Sequence, residues 1–183
     1  MFRISHFCKS LLMLVIIGIT VSTCNDDLSP LSGIEERSIN DLSVDATVAV
    51  SQENPGGATA NEGSLKLTDG DKNSKFLIFG YTSDFWMEQS FDEGVTVNAY
   101  TLTSGNDAPP RDPQSWTFEG SDNGEDWEVI EEISDATFSL RNKTAIYELD
   151  SEVTYQQYRL SITANAGSSL LQISEWRLLN IEG

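Results

Sequence analysis

The chain has 183 residues, with 29 acidic and 11 basic side chains and a formal net charge of −18. That field repels nucleic acid, heparin-like glycans and anionic lipid, and it favours neutral or cationic ligands. The only histidine, His6, and both cysteines, Cys8 and Cys24, fall in the first 24 residues, so the remainder holds no Ser–His or Cys–His nucleophile pair, no His-ligated zinc and no disulfide.

Residues 1–23 form the first predicted element. Arg3 and Lys9 precede the apolar run Leu11 to Val21, which is too short to span a bilayer as a helix and reads as a signal peptide. The run ends at Val21-Ser22-Thr23-Cys24, which resembles a lipobox, with Thr23 standing where a smaller residue is usual. The resemblance implies cleavage before Cys24 and acylation of that cysteine, the alternative being a plain signal peptide with Cys24 incidental. Asn25-Asp26-Asp27 then resembles the surface-export signal of Bacteroidota lipoproteins, which implies a chain held by its lipid anchor at the outer-membrane surface. Cleavage there leaves nine basic against 29 acidic residues, a net charge of −20.

Residues 24–43 are polar, with one proline and one glycine, and read as a tether; a short helix around Ile34 to Leu42 is one option within it. From residue 44 to 183 the pattern becomes short β-type runs separated by turn residues. The runs are 45–51, 76–79, 85–91, 95–103, 115–121, 127–130, 144–149, 155–163 and 170–179. The last run keeps no strict period, since Leu171, Ile173 and Trp176 do not share one parity, and this predicts a bulge. Thr68-Asp69-Gly70-Asp71, Glu93-Gly94, Ser104-Gly105-Asn106-Asp107 and Asp122-Asn123-Gly124 supply turn chemistry. No segment sustains a helical period. The reading is an all-β, antiparallel β-sandwich.

Three motifs in order resemble the discoidin family, also called the coagulation-factor type C or galactose-binding-like domain. Leu67-Thr68-Asp69-Gly70-Asp71-Lys72-Asn73-Ser74-Lys75-Phe76 is similar to an early Asp-Gly-Asp loop, with Ser74 and Phe76 in place of the usual Thr and Trp. Trp116 to Trp127 is similar to the family's central hairpin, and Tyr158-Arg159-Leu160 with Gln172-Ile173-Ser174-Glu175 to its ending. The resemblance spans about residues 44–181 and implies a jelly-roll sandwich whose rim loops bind glycans, lipid headgroups or proteins.

It also implies a structural calcium held by Asp69, Asp71, Ser74 and Glu175. Calcium takes six to eight oxygen ligands, backbone carbonyls included, and such a cation would join the two ends of a domain that lacks disulfides. The alternative is an Asp-Gly-Asp turn with no metal. Trp116 and Trp127 read as core rather than sugar platforms, Trp176 and Tyr158 likewise, and Arg159 as a structural ion-pair partner.

The loop 104–113 combines hydrogen-bonding side chains with three prolines. Asn106, Asp107 and Arg111 are the candidate saccharide ligands, with Tyr81 or Phe138 as the aromatic platform. The alternative is that Arg111 and Asp112 merely tie this loop to the sandwich. Composition leaves a two-carboxylate hydrolase open, but a small domain matching a binding family throughout reads as non-catalytic. The expected partner is a neutral saccharide, the charge disfavouring lipid headgroups; the alternative is a protein-interaction or accessory subunit of a surface glycan-uptake system, recognising a surface protein.

Overall fold

The computed structural model describes residues 37–183. The signal peptide and Cys24 lie outside the described residues, as does most of the tether. Nine strands follow in order: β1 (Ser38–Asp41), β2 (Thr47–Val50), β3 (Phe76–Phe79), β4 (Phe85–Thr103), β5 (Pro113–Ser121), β6 (Glu128–Ile133), β7 (Thr144–Asn165), β8 (Leu170–Ile173) and β9 (Glu175–Glu182). The larger sheet runs β1-β9-β4-β7-β5-β6, with β2 also paired to β4, and β3 pairs with β8 in a second sheet. Every pairing is antiparallel, as the sequence predicts.

β1 corrects the tether boundary. Ser38 to Asp41 lies inside the segment read as linker, yet it pairs with β9 from Ser38↔Glu182 to Asp41↔Leu179. Within the described part of the helix considered there, residues 37–42, the chain is strand and turn instead; Asp41 caps a 3-10 turn, Leu42–Asp45, through its carboxylate and the Ser43 amide. An edge strand needs main-chain pairing but no buried side-chain face, so its polar residues carry no alternation to read.

Two pairs of predicted runs are single long strands. β4 joins 85–91 to 95–103, and β7 joins 144–149 to 155–163, with register shifts between Ser90 and Val95 and between Val97 and Ala99. Those irregularities let one ribbon serve both layers. Tyr100 pairs with Tyr147, and Phe118 with Leu160, thirteen residues further along β7. Thirteen residues of straight strand would span about 40 Å. The rings of Tyr100 and Phe118 nonetheless lie 4.6 Å apart, so the ribbon folds over and packs its two halves face to face.

The last run is divided, not bulged. Leu171 and Ile173 are buried on β8, then the chain passes Ser174 into the larger sheet, where Trp176 and Leu178 are buried on β9. The break in parity is a change of sheet, pinned by the Ser174 amide donating to the Thr103 carbonyl at 2.9 Å. The core between the layers holds Trp116, Trp176, Tyr100, Tyr158, Phe76, Phe118 and their aliphatic neighbours. Burying such side chains contributes roughly 1.5–3 kcal/mol each.

The connections gather at two ends. The β5–β6 turn, the bends of β4 and β7 and the end of β9 share one, where Asn180 donates to the Thr96 carbonyl and Asn98 brackets Ile181. Loops 104–112, 134–143 and 166–169 share the other: Arg141 donates to the Gly105 and Asp107 carbonyls, and the Ala166 amide to that of Asp112.

Candidate functional site

The loop after β4 is held by its own polar groups. At Gly105 an added Cβ would stand 2.4 Å from the Gln172 amide carbon, so glycine allows the loop to lie directly on β8. Gln172 then donates to the Asp107 and Ala108 carbonyls at 2.6 and 3.2 Å. Lys75, nearly buried, donates its ammonium to Asn106 Oδ1 at 2.9 Å and Asp107 Oδ1 at 2.8 Å. Arg111 stands 3.7 Å from the same Asp107 carboxylate, and Arg141 grips Asp112 with both guanidinium nitrogens. Asn106, Asp107 and Arg111 thus come together, but around Lys75 and one another. The tie to the sandwich runs through Arg141 and Asp112 rather than Arg111. Lys75 lies 31 residues before Asn106 and 32 before Asp107, a separation that the chain order hides.

The two candidate platforms differ. Tyr81 donates its hydroxyl to the Ile162 carbonyl at 2.9 Å and packs half-buried against the core. Burial, with Asp84 adding, pushes its phenol up to about 12. Phe138 is also half-buried against the core, but it lines a notch of about 200 Å³ among the rim loops, with Pro109, Pro113, Gln114, Thr137 and Ala166. An aromatic side chain beside a carboxamide and a hydroxyl in a concave, mostly apolar setting has the chemistry of a saccharide subsite.

The residues proposed for calcium are partly assembled. Ser74 donates its hydroxyl to Asp69, 3.0 Å from each carboxylate oxygen, and the Asp71 amide donates to Asp69 Oδ1. Glu175, at the start of β9, is near enough to Asp69 for each carboxyl to shift the other's titration. Burial and then the Asp69 carboxyl push Glu175 up to about 7 despite Arg177 beside it. Burial alone would raise Asp69 as well; the Asp71 amide, Lys66, Glu175 and Ser74 together bring it below its ordinary value.

Glu175 Oε1 is buried without a hydrogen-bond partner. A buried carboxylate oxygen without a partner, together with the Asp69 carboxylate and the Ser74 hydroxyl bound to it, has the chemistry of a hard-cation donor set, so Asp69, Ser74 and Glu175 fit the implied ion. Asp71 Oδ1 accepts from the Asn73 amide and carboxamide, which leaves Oδ2 as its donor, and Asp71 and Glu175 line one cavity. Lys66 is 3.0 Å from Asp69 Oδ2 and competes there. Among the described residues no group of three or more His, Cys, Asp or Glu side chains is placed to hold a metal, so the remaining ligands would be hydroxyl and carbonyl oxygens.

Trp116, Trp176 and Tyr158 are core, as expected. Trp127 is not: it is half-buried on the outer face of the larger sheet. It follows the β5–β6 turn just before β6 begins, so strand alternation does not govern it. The Arg159 guanidinium lies 3.7 Å from the Trp127 ring centroid and 4.4 Å from that of Trp86, while donating to Glu88 at 3.0 Å. Arg159 is therefore the expected ion-pair partner and also a cation between two indoles.

Comparison with known proteins agrees with this architecture. The fold is similar to an F5/8 type C domain from Bacteroides fragilis, with a TM-score of 0.66 and 15% identity over 80% of this chain and 98% of that one. It is similar to the family 32 carbohydrate-binding module of Clostridium perfringens NanJ, solved in complex with galactose, with a TM-score of 0.64 and 12% identity over 78% and 100%. For the family 32 carbohydrate-binding module of Streptococcus pneumoniae EndoD the TM-score is 0.61, with 15% identity over 76% and 98%. In sequence, a peptide-N(4)-(N-acetyl-beta-glucosaminyl)asparagine amidase of Arabidopsis thaliana is 32% identical over 84 residues. That match covers 44% of this chain but only 12% of the amidase. The family model for the F5/8 type C domain matches residues 47–176, and the chain belongs to that family.

Proposed function

We propose that this protein binds a neutral saccharide, without catalysis, through the rim loops that hold Phe138. The observation that carries the reading is the notch itself, with Phe138 beside Gln114 and Thr137 between two prolines. The rim is already ordered by Lys75, Arg141 and Gln172, so little conformational entropy is lost when a ligand enters. The solved relatives that carry bound galactose or are named as carbohydrate-binding modules support the same reading. Asn106, Asp107 and Arg111 serve to frame the loop after β4, and Tyr81 as a core contact.

Calcium at Asp69, Asp71, Ser74 and Glu175 is the second part of the proposal. Its role is structural: it joins the loop before β3 to the start of β9. The third part is location. Acylation at Cys24 anchors the chain, and the acidic residues that follow it direct the domain to the outer-membrane surface.

Residues 37–183 contain both layers and the whole core cluster, so that fragment is the one to test. On an array of neutral glycans it binds a defined set of structures. Phe138→Ala weakens those hits at least about tenfold, equivalent to about 1.4 kcal/mol. Silence across the array, with the fragment folded, would move the reading to recognition of a surface protein by the same rim.

A further inference from the structure

A second concave site lies at the opposite end of the sandwich from Phe138. There a groove of about 300 Å³ runs between the β5–β6 turn and the bend of β7, lined by Trp127, Tyr155, Asp122, Asn123, Asp126 and Glu128. Its aromatic walls are fixed. The Tyr155 ring lies over Gly120, where an added Cβ would stand 2.2 Å from a ring carbon, and its hydroxyl donates to Glu128 at 2.7 Å. Trp127 donates its indole N–H to the Gly124 carbonyl at 3.2 Å and has one face covered by Arg159. Gly124, at a φ of +73°, makes the turn that permits this.

The polar groups are equally held. Asn123 Oδ1 accepts the amides of Glu125 and Asp126, and its carboxamide donates to Asp126 Oδ2 at 2.9 Å. Asp122 accepts the Gln156 amide at 3.2 Å. Among the described residues no lysine or arginine forms an ion pair with Asp122, Asp126 or Glu128. Arg159, the nearby cation, is committed to Glu88. The Tyr155 phenol is raised by its bond to Glu128, then by burial and by the charges of Glu128 and Asp122.

Two fixed rings beside three carboxylates that make no ion pair among the described residues select a ligand that is both flat-faced and cationic. An anion is repelled, and a neutral sugar leaves the carboxylates uncompensated. A lysine side chain supplies the charge but only a thin methylene stem, with no hydroxyls for Asp122 and Asn123. We propose that this groove is a second binding site, which takes a saccharide unit bearing a protonated amino group. The C–H face of the sugar packs on Trp127 and Tyr155. The ammonium sits between Asp126 and Glu128, and hydroxyls reach Asp122 and Asn123. This inference does not depend on the rim notch.

Calorimetry at about pH 6, where such an amine is protonated, on residues 37–183 carrying Phe138→Ala, so that the rim notch does not contribute, tests it with three probes. These are a β-1,4-linked glucosamine tetramer, its fully N-acetylated counterpart and a tetralysine peptide. The glucosamine tetramer is expected to bind at least about tenfold more tightly than either other probe and to weaken as salt is added. The shape-preserving variants Asp126→Asn and Glu128→Gln each lose about tenfold for it while melting within a few degrees of the parent. Equal binding of the acetylated tetramer, or undiminished binding by both carboxamide variants, overturns the proposal. Tetralysine binding as tightly as the tetramer overturns the saccharide assignment.

Discussion

The indole N–H of Trp116 donates to the hydroxyl of Tyr100 at 3.0 Å, and that hydroxyl in turn donates to Glu131 at 2.7 Å. Trp116 is on β5 and Tyr100 is on the second half of β4, so this chain of bonds crosses the sandwich. Both rings are fully buried, and the hydroxyl is the polar link that lets an indole N–H sit inside. Tyr100→Phe keeps the ring and removes the acceptor. Leaving a buried donor unmade costs about 1–3 kcal/mol. Urea denaturation should show a lower midpoint with an unchanged slope; an unchanged midpoint would mean that the bond is dispensable.

Alkaline stability follows from the same chemistry. All five tyrosines have phenols raised above their ordinary value, by burial first in Tyr81, Tyr100, Tyr147 and Tyr158 and by the bond to Glu128 in Tyr155. An acid whose folded value is raised holds its proton more tightly in the native state. Its contribution is therefore complete below the unfolded value of about 10 and is lost as pH rises toward the folded one, about 12 for Tyr81. Tyrosinate absorbance should appear above about pH 10 together with loss of the β-sheet circular dichroism signal. Smooth titration near that pH with the fold intact would contradict this.

Lys75→Met tests the frame of the rim. The variant keeps the stem of a side chain that is 7% exposed and removes the cation shared by Asn106 and Asp107. Asp107 is half exposed, so water re-solvates it and the loss is about 1–3 kcal/mol rather than the larger cost of a stranded buried charge. Hydrogen exchange should accelerate in residues 104–111 before it does in β5 or β7. Uniform exchange across the domain would mean that Lys75 does not hold the loop locally.

Calcium removal gives a direct measurement on Asp69 and Glu175. A ligand that binds only the folded state at a hundredfold excess over its Kd stabilises by about 2.7 kcal/mol. Melting in calcium should therefore exceed melting in chelator by several degrees. Glu175→Gln should erase that difference, because an amide cannot supply the anionic oxygen that Glu175 buries without a partner. Identical midpoints in calcium and chelator would remove Asp69, Asp71, Ser74 and Glu175 from any metal site.

The sequence by itself determined the antiparallel β architecture, the aromatic core of Trp116, Tyr158 and Trp176, and the loop in which Asp69 and Ser74 meet. Each of these is written in local alternation or in a short motif, where neighbouring residues set the geometry. Tertiary structure alone decided the rest. Residues 38–41 became a strand only because β9 offers an edge to pair with, and Ser174 marks a change of sheet that one dimension shows only as broken parity. Asn106 and Asp107, though still exposed, bond to Lys75, a buried cation that needs partners. Trp127 and Tyr155, twenty-eight residues apart, share a groove because β5 and β7 lie side by side, and no periodicity records which distant side chains a folded ribbon brings together.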